Sequence, residues 1–219
     1  MELSSCFPIW NKLSEKDQNR ILQAADFLQV KKDTMLHDSS VDCLGLLVVR
    51  SGQLRVYILS EEGREITIYR LFERDVCLLS ASCVMPDMQF NLMIEAEKDT
   101  ELWSIPACLF KNLINESLPM AVFANSLISN HFSELMWLME QIMWKSVDKR
   151  LAAFLLEESR LEDTQSLKLT HEKIANHMGT AREVVTRMLR YFQTEGMVKL
   201  TRGAVEIMDP KKLEALAEA

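Results

Sequence analysis

The spacing of apolar residues changes along this chain, and each change marks a segment. Within 8–29, Ser14 precedes Ile21, Leu22, Ala25 and Leu28 at helical spacing, with Asp17 in the first turn, which predicts one or two short helices. From about 34 to 106 the apolar runs become short and β-like: Leu44–Val49, Gln53–Leu59, Glu65–Phe72, Phe90–Ala96 and Glu101–Ile105. Turn signals at Ser51-Gly52, Glu61-Glu62-Gly63 and Lys98-Asp99 separate them, a pattern that predicts an antiparallel barrel or roll. Residues 117–145 read as one long helix. Ile128, Phe132, Leu135, Met139 and Ile142 alternate steps of four and three, which is a heptad seam. Leu127, Met136, Trp137, Leu138, Met143 and Trp144 make further faces apolar, whereas a lone surface helix needs a single stripe. Two apolar faces imply two neighbours, the roll and a second copy of the helix. Ser146–Asp148 breaks the pattern before Val147, Leu151, Phe154 and Leu155 start another helix, so a hinge is expected near residue 146. The expected organisation is a roll over 1–116, a dimerisation helix over 117–145 and a further domain over 146–219.

The segment 169–200 specifies that last domain. Thr170 is placed to cap a helix carrying Ile174, Ala175 and Met178 on one face, and Gly179 supplies the left-handed residue that ends it. Thr180 with Glu183 has the spacing of a capping box for a second helix, buried along Val184, Val185, Met188 and Leu189. Ala175 is small where two helices must close across a short turn. This is a helix-turn-helix, whose second helix would enter the DNA major groove. Its outward strip is Arg182, Glu183, Thr186 and Arg187; arginine can bond guanine O6 and N7 together, and glutamate can accept from cytosine N4. Val198–Leu200 and Ala204–Ile207 alternate around Arg202-Gly203 as a hairpin, a wing that brings Lys199 and Arg202 to the phosphate backbone. Asp209-Pro210 then opens a C-terminal helix.

Charge is consistent with this once divided. The net −7 lies in residues 1–145, with 13 Lys and Arg against 20 Asp and Glu, while 146–219 hold 12 of each. Within 173–202 six basic residues face two acidic ones. The expected DNA surface is therefore locally positive. Five cysteines occur without a CxxC pair, which argues against a disulfide framework or a zinc site. Neither a membrane-length apolar run nor a signal peptide is evident, so a cytoplasmic protein is expected. A roll-type enzyme of the cupin kind needs a cluster of histidines, and the roll contains His37 alone.

The order of roll, long helix, hinge and winged helix-turn-helix, with segment 49–75 at the front and 169–200 at the back, resembles the Crp/Fnr family of bacterial transcription regulators over essentially the full chain. The α+β fold implied is a cupin-like, cyclic-nucleotide-binding-like antiparallel β-roll followed by the long helix and the winged domain. Arg182, Glu183 and Arg187 match the cyclic-AMP receptor type, and Glu183-x-x-Thr186-Arg187 is similar to the Glu-x-x-Ser-Arg of the oxygen-sensing type. The resemblance implies a homodimer on near-palindromic double-stranded DNA whose half-sites share a TGA-like core, RNA polymerase as a partner, and no membrane. It also implies a small-molecule effector held between roll and long helix. In this chain such a pocket would draw on Cys77, Leu79, Ser80, Cys83, Phe90, Asn91, Leu135 and Met136.

Departures from the family bear on that effector. Cyclic-nucleotide binders carry Gly-Glu for the ribose and Arg-Ser for the phosphate, where this chain has Leu79-Ser80 and Phe90-Asn91. A buried phosphate without arginine lacks its strongest bonds, so cyclic AMP is not expected. An iron–sulfur sensor needs clustered N-terminal cysteines, and only Cys6 is there; a haem ligand on the long helix is limited to His131, read as an ordinary polar position. No cofactor signature is found. A ligand-blind roll with constitutive DNA binding, or a thiol sensor built on Cys77 and Cys83, are the alternatives.

Overall fold

The computed structural model describes residues 2–38, 44–78, 80 and 92–218. The chain divides into two compact units, one made of Met1–Leu59 with Ile68–Leu135, the other of Ser60–Thr67 with Met136–Ala219.

The first unit opens with α1 (Leu3–Cys6), a single 3-10 turn at Trp10–Lys12 and α2 (Glu15–Ala24). Ser14 caps α2, its hydroxyl accepting from the Asp17 amide at 3.2 Å. The helix expected to run to residue 29 stops early: Ala25 closes it, and Asp26–Val30 is strand β1. Leu28 pairs opposite Leu102, and Leu22 stays exposed, because pairing with β8 satisfies the backbone of this stretch as a strand. The strands that follow are β2 (Met35–His37), β3 (Leu46–Ser51), β4 (Leu54–Leu59), β5 (Glu65–Leu71), β6 (Val76–Cys77), β7 (Leu92–Ala96) and β8 (Thr100–Ile105). They form two four-stranded sheets, ordered β1-β8-β3-β6 and β2-β7-β4-β5. The pairs β1–β8, β3–β8, β3–β6, β2–β7 and β4–β7 are all antiparallel.

Strand β3 shows why the roll closes. Leu46, Leu47, Val48 and Val49 are all fully buried, and successive side chains of a strand point to opposite faces. Leu46 and Val48 join Trp10, Ile21, Phe110, Leu113 and Met120 in a core under the helices. Leu47 and Val49 join Leu54, Val56, Ile94 and Leu102 between the sheets. A strand apolar on both faces needs cover on both. The outer cover comes from α1, α2, α3 (Ala107–Glu116) and the start of α4 (Leu118–Trp144). Along α4 only Met120 and Ala124 are fully buried; Ile128, Phe132, Met136, Trp137, Met139, Ile142, Met143 and Trp144 are exposed in the single chain.

The second unit contains α5 (Val147–Leu161), β9 (Ser166–Leu167), α6 (His171–Met178), α7 (Arg182–Thr194), β10 (Val198–Thr201), β11 (Ala204–Ile207) and α8 (Pro210–Glu218). Leu151 and Leu155 of α5, Ile174 and Ala175 of α6, Val185, Leu189 and Phe192 of α7, and Leu213 of α8 make one core. The wing is confirmed, with Val198 opposite Ile207 and Thr201 opposite Ala204, and β9 adds an unforeseen third strand beside β11. Asp209 caps α8, accepting from the Lys212 amide at 3.1 Å. Residues 60–67 also belong here: Thr67 bonds the His177 ring at 2.9 Å, and that ring stacks on Phe154 at 5.5 Å.

Gly45 enters β3 with φ +83°, and a Cβ there would lie 2.1 Å from the Ile105 carbonyl oxygen. Gly45→Ala should therefore cost about 2–4 kcal/mol, combining backbone strain with a backbone collision. A urea titration checks this: the midpoint should fall at unchanged slope, and an unmoved midpoint would refute the packing.

Candidate nucleic-acid interface

The α6–α7 pair is built from local rules. Thr170 accepts from the Lys173 amide at 3.2 Å, capping α6 as expected. Gly179 ends it at φ +63°, in the left-handed region that disfavours a Cβ. The Thr180 amide also bonds the Ala175 carbonyl, at 3.1 Å, so Thr180 belongs to the turn and not to the next helix. Helix α7 begins at Arg182 with Ala181 as its unassisted cap, and the capping box expected between Thr180 and Glu183 does not form. Ala175 is buried in the core that α6 shares with α7. Arg150 of α5 donates to the Met178 carbonyl, satisfying the last turn of α6, and burial pulls its pKa down.

Arg182, Glu183 and Arg187 project outward from α7 as expected, and Arg190 extends the strip one turn further; with half-buried Thr186 they line a shallow concavity of about 410 Å³. Among the described residues, neither Arg187 nor Arg190 has a carboxylate partner within 4 Å. Arg182 lies 3.7 Å from Glu172, both exposed, a pair of little energetic weight. On the wing, Lys199 lies 3.6 Å from Glu206, its cross-strand neighbour, while Arg202 at the tip is exposed. His171 was not singled out by the sequence. Its Nδ1 lies 2.9 Å from the Thr186 hydroxyl, which itself donates to the Arg182 carbonyl at 2.9 Å. Burial first, then the charges of Arg182 and Arg190, hold the His171 pKa below its ordinary value. Only the crossing of the two helices brings His171 and Thr186 together.

In the first unit, Cys77 is buried with its sulfur 3.9 Å from the Tyr69 hydroxyl. Tyr69 stacks on His131 at 4.4 Å and 14°, and burial pushes its phenol well above the usual range, with Cys77 adding to the rise. His131, expected as an ordinary polar position, bonds Glu134 through Nδ1 at 3.0 Å and holds a buried Nε2 without a partner among the described residues. The Ser80 hydroxyl lies 2.6 Å from the Gly45 carbonyl and 2.7 Å from the Cys77 carbonyl, and its single hydrogen is shared between them. Leu135 is half-buried and Met136 exposed, while Leu79, Cys83, Phe90 and Asn91 lie outside the described residues. Among the described residues no cluster of three or more His, Cys, Asp and Glu could hold a metal. Nor is any helix among them long and apolar enough to cross a membrane.

A family model described as Crp-like helix-turn-helix domain matches residues 149–216, and one described as cyclic nucleotide-binding domain matches 27–117. A solved structure of a Crp/Fnr-family transcriptional regulator from Eubacterium rectale is 57% identical, with a TM-score of 0.96, covering 98% of this chain and all of that one. The chain belongs to the Crp/Fnr family. It is a DNA-binding transcription regulator of the Crp/Fnr type with a cyclic nucleotide-binding domain. Among curated relatives, the cyclic AMP receptor protein of Thermus thermophilus is 26% identical over 78% of this chain and 79% of its own length. The transcriptional activator protein Anr of Pseudomonas protegens is also 26% identical, over 97% of this chain and 88% of its own.

The Arg150 contact is testable. Arg150→Met keeps the packing of the side-chain stem but leaves the Met178 carbonyl unbonded, which should cost about 1–3 kcal/mol. Faster amide exchange in the last turn of α6 would accompany a lower urea midpoint. No change in either would mean that the guanidinium is dispensable.

Proposed function

We propose that this Crp/Fnr regulator is a homodimer that reads near-palindromic DNA through α7 and responds to a small-molecule effector other than cyclic AMP. The observation that carries the DNA part is the exposed strip Arg182, Glu183 and Arg187, whose guanidinium at 187 is free of any carboxylate among the described residues. An unpaired arginine beside a glutamate at the start of such a helix suits a G·C pair, guanine to the arginine and cytosine N4 to the carboxylate. Lys199 and Arg202 on the wing, with Thr170 at the start of α6 and Thr180 in the turn before α7, serve the phosphates. RNA polymerase as a partner and the cytoplasm as the location follow from this reading.

Dimerisation rests on the outer face of α4. Phe132 is 63% exposed and Trp144 78% exposed, with Ile128, Met139 and Ile142 also in solvent and Leu135 between them. An apolar stripe of that length on a helix calls for a partner of the same kind. The reading keeps three segments: roll 1–116, dimerisation helix 117–145 and DNA-binding domain 146–219. Effector binding in the roll would shift a two-state equilibrium of the DNA-binding domains. Against cyclic AMP stand Leu79-Ser80 and Phe90-Asn91; of these four residues only Ser80 is described, and its hydroxyl serves two backbone carbonyls. A thiol sensor gains no support from Cys77, which is buried with its sulfur beside the Tyr69 phenol, since burial keeps a thiol inert.

Phe132→Glu should halve the solution mass. Because Phe132 is exposed in the single chain, the variant keeps its fold, and a dimeric mass would remove α4 from the interface.

Arg187→Ala should cost about 1–3 kcal/mol per half-site and relax discrimination at one base pair. Arg202→Ala should weaken all sequences alike and flatten the salt dependence by about one unit. Selection from randomised DNA tells them apart: unchanged preference in the Arg187 variant would reassign that residue to phosphate.

Calorimetry with cyclic AMP should show no heat of specific binding at micromolar ligand; micromolar affinity would overturn the effector argument.

A further inference from the structure

We infer that His171 is a proton-linked phosphate contact: on binding DNA its Nε2 takes a proton from solvent and donates it to a backbone phosphate, while Nδ1 keeps hold of Thr186. The inference rests on the reading of α7 as the DNA-contacting helix.

The hydrogen bonds fix the tautomer. Thr186 has one hydroxyl hydrogen, and it goes to the Arg182 carbonyl, the ordinary bond of a threonine to the residue four positions back on a helix. The Thr186 oxygen therefore accepts from His171, at 2.9 Å, and Nδ1 carries the hydrogen. In the neutral ring the lone pair is then on Nε2, which makes no hydrogen bond among the described residues. A neutral Nε2 repels a phosphate oxygen, whereas a protonated one donates to it with a charge-assisted bond.

The surroundings set the direction of the linkage. Burial first, then the charges of Arg182 and Arg190 from α7, lower the pKa of the ring and so favour its neutral form in the free protein. The remaining α7 charges on that face are Glu183 and Arg187. On its own helix the neighbours are Glu172, which leans on Arg182 at 3.7 Å, and Lys173, with His177 further along. From α5, Arg150 reaches the opposite end of α6. His171 is also the first residue of α6, where the helix dipole favours an anion. A phosphate at this place offsets the two guanidinium charges and adds its own attraction, so the imidazole pKa rises in the complex. A pKa raised by binding means affinity gained as pH falls through the window between the free and bound values, and lost as pH rises through the bound one.

The test uses the full-length protein and a DNA duplex of mixed sequence at low salt, where phosphate contacts dominate. Fluorescence anisotropy from pH 8 to pH 6 should show binding tightening by about 3- to 10-fold per pH unit, a range in which the carboxylates stay ionised. His171→Gln preserves a donor toward Thr186 but does not titrate, and should flatten that dependence; His171→Arg should bind tightly at every pH. His177→Gln should keep the wild-type slope. Imidazole NMR should find His171 as the Nδ1–H tautomer in the free protein, with its pKa higher in the complex. A wild-type slope surviving in His171→Gln, or a His171 pKa unmoved by DNA, overturns the inference alone. Failure of the wild-type protein to bind DNA at any pH overturns the reading of α7, and this inference falls with it.

Discussion

The left-handed turn at Gly179 is the constraint on which the exposed face of α7, proposed to contact DNA, depends. It ends α6 at once and lets α7 start at Arg182, so the outward strip of α7 is set by a single backbone conformation. A Cβ at Gly179 would also lie 2.7 Å from the Ile66 side chain, so the turn is closed from outside as well. Packing then does the rest: Ala175 allows the close approach, while Val185, Leu189 and Phe192 fix which side of α7 is buried and therefore which side is left for a ligand.

Much of this second unit was legible in the sequence because its determinants are local. A cap, a left-handed glycine and a 3.6-residue period each act within a few positions, and Thr170, Gly179 and Asp209 behave as their residue types require. Thr180 misled because the capping-box spacing is also met by a residue still inside the turn. His171 was not legible at all. Its contact with Thr186 comes from the crossing of two helices, which places it against a residue 15 positions away in sequence.

The first unit shows the same division. The apolar runs of β3, β4, β5 and β8 announced themselves, whereas β1, β2 and β6 are short and take their conformation from partners distant in the chain. Tyr69 and His131 are another non-local pair: neither has a sequence signal, and a strand and a helix 62 positions apart in numbering bring their rings into a stack. Residue chemistry was readable where neighbours in sequence are neighbours in space, and became opaque where the sheets close.

That closure has a temporal side. Strand β1 has its partner in β8, with Asp26 opposite Ser104 and Val30 opposite Thr100. A chain emerging from the ribosome must therefore complete some seventy residues before its first strand finds its mate. Contacts at such separation require a large loop closure before they stabilise anything, so the roll is the slow-folding part. Within the second unit, the β10–β11 hairpin and the α6–α7 pair join near neighbours and can form early, whereas α5 must wait for α8 at the end of the chain. Until β8 is made, Leu28 and Val30 remain an unpaired strand edge, the kind of surface that invites association with other nascent chains.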